Sequence, residues 1–387
     1  MRYLCVVQDT RWGRLVLRAA MAFEEVVQVA MLAVLRLRGK HHPTIVPFIG
    51  HGTPRRIRIK GRVLLGRRAA DAPPVAVPGA PAPTARTRRA VLRASLARFL
   101  TVEVPRARVV ATVDGVRAEL RADRDGYLDA AFDIDPAHEL SPGWHGVQLA
   151  LPDGATVTAQ VLVVDPRARL GVVSDVDDTI LETGISRGLA FLRATLLTEV
   201  RERSPLPGAA ALYRALTERP DGPPRPIFYV STSPWNLHEM LLEFIALRRF
   251  PLGPLLLTDW GPSRDWLLRI EATEHKTGLI RRMLDEHPQL RLVLIGDSGQ
   301  LDPEIYAALA REHPDRIAAV YIRRTANAAR DRIAAVDAIA AEVSGAGVPM
   351  LAVDDSMQIA AHAAGIGLLD AAALPAVREG VAGVRPA

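Results

Sequence analysis

The sequence is poor in cysteine, in lysine and in uninterrupted apolar segments. Its one cysteine, Cys5, excludes a disulfide framework and a cysteine-based zinc site. Lysine stands only at positions 40, 60 and 276, although arginine helps to give this chain of 387 residues a net charge of +6. A lysine that falls close to acidic motifs is therefore more informative in this protein than it would be elsewhere.

Residues 14–37 are largely apolar, but charged residues interrupt them. Arg18, Glu24 and Glu25 would make a membrane-spanning helix costly, and no signal-peptide pattern is visible. Most of the charged residues fall on one stripe of a helical wheel, which predicts an amphipathic helix. Two placements of this helix stay open: it packs on the body of the protein, or it lies in a membrane interface beside the basic cluster at 36–40.

Residues 43–167 show a period of two, which is typical of β-strands. Asp-Gly pairs at 114, 125 and 153 favour hairpin turns between short apolar segments. Several short strands at this spacing predict a small β-sandwich, which we interpret as an accessory domain. The segments expected to form strands are 56–63, 108–113, 117–122, 128–134, 147–151 and 156–164.

From residue 168 onward, strand-like and helix-like segments alternate, which predicts a doubly wound, mostly parallel α/β sheet. The intervals between the polar motifs of this region are too short for a large cap domain, so we expect an open site. The chain is thus predicted to have three parts: an amphipathic helical segment at 1–42, the β-sandwich-like domain at 43–167 and an α/β domain at 168–387.

Three carboxylates end the first strand of the α/β domain, and burying them is costly unless a cation or strong donors offset their charge. Asp175 and Asp177 should point the same way at the carboxyl end of the sheet, where open α/β sheets place ligands. Ile180 and Ser186 stand where an EF-hand calcium loop needs a glycine and an acid. A structural acidic turn stays an alternative to a nucleophilic aspartate that works with magnesium.

Three later segments supply groups of the kinds that bind phosphate or metal. The hydroxyl of Ser231 and the N–H groups after it could bind phosphate oxygens, with Ser233 as a rival. Lys276 opens a helix and could neutralise both a nucleophile and a phosphate. Asp297 stands between glycines and could supply a second metal carboxylate. Asp302 could either cap the next helix or contact the site from behind.

The order of these motifs resembles that of the haloacid dehalogenase superfamily of phosphatases. The chain has Asp175-x-Asp177-x-Thr179, then Ser231, then Lys276, then Gly296-Asp297 with Asp302. More narrowly, the segments 174–180, 229–235 and 296–304 resemble the catalytic domain of the App-one type phosphatidate phosphatases. This resemblance covers about residues 168–369, and the preceding β-rich segment resembles that of bacterial members.

The resemblance implies a haloacid-dehalogenase-like fold and a Mg²⁺-dependent phosphatase that forms an aspartyl-phosphate. Asp175 would be the nucleophile, Asp177 the general acid and base, and Lys276 the third catalytic residue. The residues implied to contact the substrate are Thr179, Ser231, Thr232 and Lys276. The residues implied to bind the metal are Asp175, Asp177 (through its backbone carbonyl) and Asp297, and those implied to support the site are Asp302 and Ser233.

The leading substrate that the resemblance implies is phosphatidate at a membrane surface, hydrolysed to diacylglycerol. Two alternatives stay open: the same chemistry on a phosphoprotein, a nucleic-acid end or a soluble phosphate ester, and a non-catalytic module that binds a membrane or a protein. No basic tract interleaved with aromatic residues favours nucleic acid, and no obligate protein partner is inferred. We expect a cytoplasmic protein with peripheral membrane association, in which the segment 188–193 is a lipid-facing lip or an ordinary packed helix.

Overall fold

A computed structural model of the protein describes residues 43–65, 102–152, 154–181, 204–219, 221–258, 270–325 and 328–383. The predicted helix at 1–42 and the predicted lip at 188–193 lie outside these ranges. Within the ranges, every helix is too short or too polar to cross a membrane.

The first described segments form one curled eight-stranded sheet, called the accessory sheet below. Seven of its strands follow the order β3-β2-β1-β8-β7-β4-β5, and the remaining strand, β6, pairs with β2. The predicted sandwich of two sheets is therefore wrong, although each predicted strand has a counterpart. Hairpin signals define local strand pairs, and they do not decide whether the pairs join into one sheet or two. The strands are β1 (Pro43–Thr53), β2 (Arg56–Leu65), β3 (Val102–Glu103), β4 (Arg108–Val113), β5 (Val116–Arg121), β6 (Tyr127–Asp133), β7 (Gly143–Ala150) and β8 (Thr156–Val163).

Strand β1 has no alternating pattern because both of its faces are buried. It pairs antiparallel with β2 on one side and parallel with β8 on the other. Ile45 belongs to the core of the accessory sheet, whereas Phe48 packs with Trp235. Burial on both faces removes the alternation of apolar and polar residues, which explains why a period of two does not reveal the strand.

The second sheet, called the parallel sheet below, has six strands in the order β11-β10-β9-β12-β13-β14. The chain builds outward from β9 to β11 and then returns to the other side of β9 with β12. Such a reversal leaves a crevice at the carboxyl ends of the two strands where the order changes, which here are β9 and β12. The strands are β9 (Leu170–Ser174), β10 (Ile227–Pro234), β11 (Leu255–Thr258), β12 (Arg291–Asp297), β13 (Ile317–Arg323) and β14 (Met350–Val353).

Helices cover both faces of the parallel sheet, which confirms the predicted doubly wound arrangement. One hydrophobic core includes residues of α1, α2, α6 and α7, and the other includes residues of α3, α4 and α5. The helices of the described residues are α1 (Ala209–Thr217), α2 (His238–Leu247), α3 (Ile270–Glu286), α4 (Asp302–Glu312), α5 (Arg330–Gly345), α6 (Ser356–Gly365) and α7 (Leu374–Ala382).

The two sheets are packed against each other through β1 and β2. Ile49 belongs to a core that also contains residues of β9 and β10. The ring of Phe48 stacks on that of Trp235, with centroids 4.4 Å apart. Arg62 Nη1 donates to Asn236 Oδ1 at 2.7 Å. The accessory sheet therefore holds the end of β10 and the short 3-10 turn that follows it.

Protonation of His238 should destabilise the protein in acid. Burial lowers the pKa of His238 to about 3, whereas an unfolded histidine titrates near about 6.5. As the pH falls, the unfolded chain therefore binds the proton before the folded chain does. The contribution of neutral His238 to the unfolding free energy is complete above about pH 6.5. Below that pH it falls by about 1.4 kcal/mol per pH unit. Denaturant unfolding at about pH 7 and about pH 5 measures the loss.

The contribution of His238 to the pH dependence is isolated with the variant His238→Gln. In this variant, the slope of unfolding free energy against pH should be smaller than in the wild type. The exposed His138 supplies the matched control His138→Gln, which should keep the wild-type slope. Equal slopes in all three proteins would contradict the prediction.

Candidate active site

A tight turn after β9 brings Asp175 and Asp177 to the crevice. The N–H of Asp175 donates to the carbonyl of Ile295 on β12 at 2.8 Å, which extends the pairing of β9 with β12 by one residue. The chain then turns back, with the N–H of Ile180 on the carbonyl of Val176 at 3.0 Å. Asp178 has a φ of 54°, a left-handed conformation that aspartate accepts more readily than most residues do.

Lys276 joins two carboxylates at the centre of the site. Its Nζ lies 2.8 Å from Asp175 Oδ1 and 2.5 Å from Asp302 Oδ1. The hydroxyl of Thr179 donates to the other oxygen of Asp175 at 3.2 Å. All four residues are at most 2% exposed. The ion pairs are therefore shielded from water, so their charges interact far more strongly than those of surface pairs.

Burial and charge shift the pKa values of this cluster in opposite directions. Burial raises the pKa of Asp175 well above its ordinary value, and the Lys276 ammonium counteracts this only in part. Burial alone would lower the pKa of Lys276, but Asp175 and Asp302 raise it well above the ordinary value. The lysine thus stays charged, and the carboxylates around it outnumber it.

Asp297 has one satisfied carboxylate oxygen and one without a partner. Its Oδ1 accepts the N–H groups of Gly299 at 2.6 Å and Gln300 at 3.0 Å. Its Oδ2 is buried, and within the described residues no donor reaches it. Burial, and then the charge of Asp302, raises the pKa of Asp297 to about 7. A cation would relieve both the missing contact and the charge repulsion.

These carboxylates fit a hard divalent cation. Oxygens of Asp175, Asp297 and Asp302 lie within 4.8 Å of one another. With one ammonium among three carboxylates, the cluster has excess negative charge when all four groups are ionised. An all-oxygen donor set with excess negative charge is suited to Mg²⁺ or Ca²⁺ rather than to softer metals.

Asp302 contacts the site and does not cap α4. It is the first residue of the helix, whose N-cap position is Leu301 and makes no side-chain cap bond. Its Oδ2 instead accepts the N–H of Asp297 at 3.2 Å, while its Oδ1 accepts from Lys276. Gly296 permits this approach, because a Cβ there would lie 2.3 Å from Asp302 Oδ2. Of the two roles that the sequence allows, the structure supports the contact from behind.

Ser231 and Ser233 both reach Asp177. Asp177 Oδ2 accepts the hydroxyl of Ser231 at 3.0 Å and that of Ser233 at 2.9 Å. The sequence treats the two serines as rivals in a turn, but both hydroxyls bond to the same carboxylate oxygen, at the end of β10 where its register with β11 shifts. Burial raises the pKa of Asp177, and the two hydroxyls limit the rise. The carbonyl of Thr232, between them, accepts the hydroxyl of Thr258 at 2.7 Å.

Sequence reasoning missed the residues that hold the site from behind. Ser174 donates to the carbonyl of Asp175 at 2.6 Å, and its hydroxyl lies 2.6 Å from that of Tyr213. The ring of Tyr306 lies 5.7 Å from Lys276 Nζ. Both tyrosines occur in helical apolar patterns, where nothing distinguishes them from ordinary core residues.

Arg332 on α5 braces the loop between β12 and α4. It donates to the carbonyls of Ser298 at 2.8 Å and Gln300 at 2.6 Å, and it forms an ion pair with Glu304. These contacts hold the loop that carries Asp297 and Asp302. No pattern in the sequence associates an arginine so distant along the chain with this loop.

Comparison with known proteins identifies proteins that are similar to this chain. Residues 170–324 match the family described as "Phosphatidate phosphatase APP1, catalytic domain". Phosphatidate phosphatase APP1 of Saccharomyces cerevisiae is 27% identical over 252 residues, or 62% of this chain and 42% of that protein. An uncharacterised protein of Schizosaccharomyces pombe is 27% identical over 168 residues, or 43% of this chain and 26% of that protein. The chain thus spans less than half the length of either relative.

Solved structures provide a more distant likeness. A carbohydrate acetylesterase from Xanthomonas citri is similar with a TM-score of 0.32 and 11% sequence identity, over 88% of this chain and 76% of that one.

Divalent cations should stabilise the protein through Asp297. Millimolar Mg²⁺ is expected to raise the melting temperature of the wild type, because an ion that binds only the folded state adds to its stability. Asp297→Asn removes charge from the unpartnered oxygen and should abolish the rise, whereas Asp285→Asn, at an exposed aspartate of α3, should preserve it. Thermal unfolding with and without Mg²⁺ measures the difference, and an equal rise in all three proteins would contradict the assignment.

Gly296→Ala should damage the site through one methyl group. The new Cβ would clash with Asp302 and force it away from Lys276, which should cost about 1–3 kcal/mol of unfolding free energy. Gly278→Ala is the matched control, since a Cβ there meets nothing within 4 Å and alanine favours a helix. Denaturant unfolding should show a loss for the first variant and none for the second; equal stabilities would refute the steric argument.

Proposed function

We propose that this chain, whose residues 170–324 match the family of APP1 phosphatidate phosphatase catalytic domains, is a phosphoric monoester hydrolase that converts phosphatidate to diacylglycerol. The observation that carries the proposal is the buried contact of Lys276 with Asp175 and Asp302, beside the unpartnered oxygen of Asp297. This arrangement supplies a nucleophile, a fixed cation and a metal site within one crevice. It also agrees with the motif order of the haloacid dehalogenase superfamily.

Asp175 is the proposed nucleophile. Lys276 and Thr179 hold its two carboxylate oxygens, so the carboxylate has a defined orientation. One oxygen would form a bond to phosphorus while the bond from phosphorus to the alcohol oxygen breaks, which leaves an aspartyl-phosphate. The Lys276 ammonium would neutralise charge on the transferred phosphoryl group, and phosphoryl transfer depends mainly on such alignment and neutralisation.

Asp177 is the proposed general acid and base. Its raised pKa favours the protonated form at a higher pH than is usual for aspartate. The protonated carboxyl would give its proton to the leaving alcohol oxygen, and the resulting carboxylate would take a proton from the water that hydrolyses the aspartyl-phosphate. Ser231 and Ser233 hold the carboxyl group in place for both transfers.

Mg²⁺ is the proposed metal, with Asp175, the backbone carbonyl of Asp177 and Asp297 as its protein ligands. When bound, it would reduce the repulsion between the anionic nucleophile and the phosphate. Asp302 keeps Lys276 in position. The groups proposed to contact the phosphoryl oxygens are those of Thr179, Ser231, Thr232 and Lys276.

A lipid substrate is supported by an exposed leucine beside the crevice. Leu301 is 48% exposed, and it directly precedes Asp302. Within the described residues, the other large apolar side chain with comparable exposure is Ile366, at 42%. Leu301 lies in the loop after β12, at the same sheet edge as the proposed nucleophile. An apolar side chain at this place is suited to contact with the acyl region of a phospholipid, so we expect peripheral association with membranes.

Asp175→Asn should abolish turnover and leave the fold intact. Loss of the nucleophile should lower phosphate release from phosphatidate vesicles by roughly 10³-fold or more. Asp178→Asn is the matched control, because it removes a neighbouring carboxylate at a left-handed position that asparagine also accepts. Circular dichroism verifies folding. Near-normal activity of Asp175→Asn, or equal losses in both variants, would refute the proposed mechanism.

Leu301→Ser should reduce activity on lipid selectively. The ratio of activity on phosphatidate vesicles to activity on a soluble phosphate ester should fall about fivefold, because half of a buried leucine side chain is worth about 1 kcal/mol. Ile366→Ser is the matched control and should leave the ratio unchanged. Equal ratios for both variants and the wild type would argue against lipid contact at Leu301, and a wild-type preference for the soluble ester would reject phosphatidate as the substrate.

A further inference from the structure

A second cluster of metal-binding residue types lies outside the proposed active site, where the two sheets meet. His51 belongs to β1, Glu286 ends α3, and His287 follows it. One nitrogen of each histidine and one oxygen of Glu286 lie within 4.8 Å of one another. These three residues are called the junction triad below.

Ring nitrogens of both histidines in the junction triad are buried without a hydrogen-bond partner among the described residues. His51 is 2% exposed and His287 is 0% exposed. Within the described residues, no partner reaches Nδ1 of His51 or either ring nitrogen of His287. The approach of His51 Nδ1 to Glu286 Oε2, at 3.6 Å, is too long for a hydrogen bond. An unpaired buried polar atom is unfavourable, so a ligand that bonds to these nitrogens would stabilise the cluster.

The backbone of β1 is shaped to aim His51 at this position. The register of β1 with β2 shifts between Phe48 and His51, and such bulges redirect a side chain. Gly50, within the shift, permits close approach to β2, because a Cβ there would lie 2.3 Å from the carbonyl oxygen of Arg58. The position of His51 thus follows from an irregularity in the strand.

Glu286 is oriented by a hydrogen-bonding residue, as metal-binding carboxylates usually are. Arg58 donates to Glu286 Oε1 from Nε at 2.9 Å and from Nη2 at 2.6 Å, which leaves Oε2 for the histidines. Asp129 offsets the neighbouring positive charge by accepting from Arg58 and Lys60, each at 2.8 Å.

We propose that the junction triad binds a zinc ion that fastens the accessory sheet to the end of α3. Two imidazole nitrogens and one carboxylate oxygen form a donor set that zinc prefers, whereas the all-carboxylate cluster is suited to magnesium. The ring of Phe228 packs against both histidines, with centroids 5.4 Å and 5.8 Å away, and provides an apolar wall. Because α3 also carries Lys276, the zinc ion would steady the helix that positions this lysine.

Zinc retention by the full-length protein tests the proposal. The protein is incubated with a zinc salt and excess Mg²⁺, passed through a desalting column and analysed for zinc by mass spectrometry. We expect about one zinc per chain in the wild type and less than about a tenth of that in His51→Gln and His287→Gln. His238→Gln is the matched control, because His238 is also buried with an unpartnered Nε2 but lies outside the triad; it should retain zinc as the wild type does.

Glu286→Gln is a second variant, for use if substitution of a buried histidine unfolds the protein. It should fold, because Glu286 is partly exposed and glutamine can still accept hydrogen bonds from Arg58. It should weaken zinc binding at least tenfold in a competition titration with a chelator. Zinc-free wild type, or zinc retained equally by the wild type and all triad variants, would overturn the proposal. Since none of these readouts is enzymatic, the result is independent of the proposed phosphatase activity.

Discussion

The contact of one buried ammonium with two buried carboxylates is the interaction on which the candidate site depends. Lys276 comes from α3, Asp175 from the end of β9 and Asp302 from the start of α4, so three elements must meet for the contact to form. None of these charges could be buried alone, because desolvation would cost each of them several kcal/mol. When all four groups of the acidic cluster are ionised, it keeps an excess of negative charge. That excess, together with the unpartnered oxygen of Asp297, is the physical reason to expect a divalent cation.

The two sheets contribute to this site in different ways. The parallel sheet places the site, because its strand order reverses between β9 and β12 and brings the carboxyl ends of these strands side by side. The accessory sheet contributes no residue to the acidic cluster among the described residues, yet it packs on Trp235, next to the serines of β10, and on Glu286, at the end of α3. It therefore supports two elements that carry groups proposed to bind the phosphoryl oxygens and to neutralise their charge.

Several features could be predicted because they depend on neighbours in the sequence. Strand and helix periods located β9 to β14 and most of the helices. Local patterns failed where distant segments decide the outcome. Strand alternation does not apply to Asp175 and Asp177, because β9 ends at Ser174 and both aspartates lie beyond it. The sandwich prediction was wrong because hairpin signals contain no information about how strand pairs join. Similarly, the rivalry of Ser231 with Ser233 disappeared because both hydroxyls donate to the same oxygen of Asp177.

The sequence by itself determined the residue types of the site and their order along the chain, since the chemistry of carboxylates, hydroxyls and an amine belongs to the side chains. The tertiary structure alone decided which of them meet: that Asp302 turns from its helix toward Lys276, that Tyr213, Tyr306 and Arg332 stand behind the site, and that His51 lies beside His287. These contacts join residues far apart in the chain. Their energy comes from packing and desolvation, which exist only after the sheets and helices have assembled.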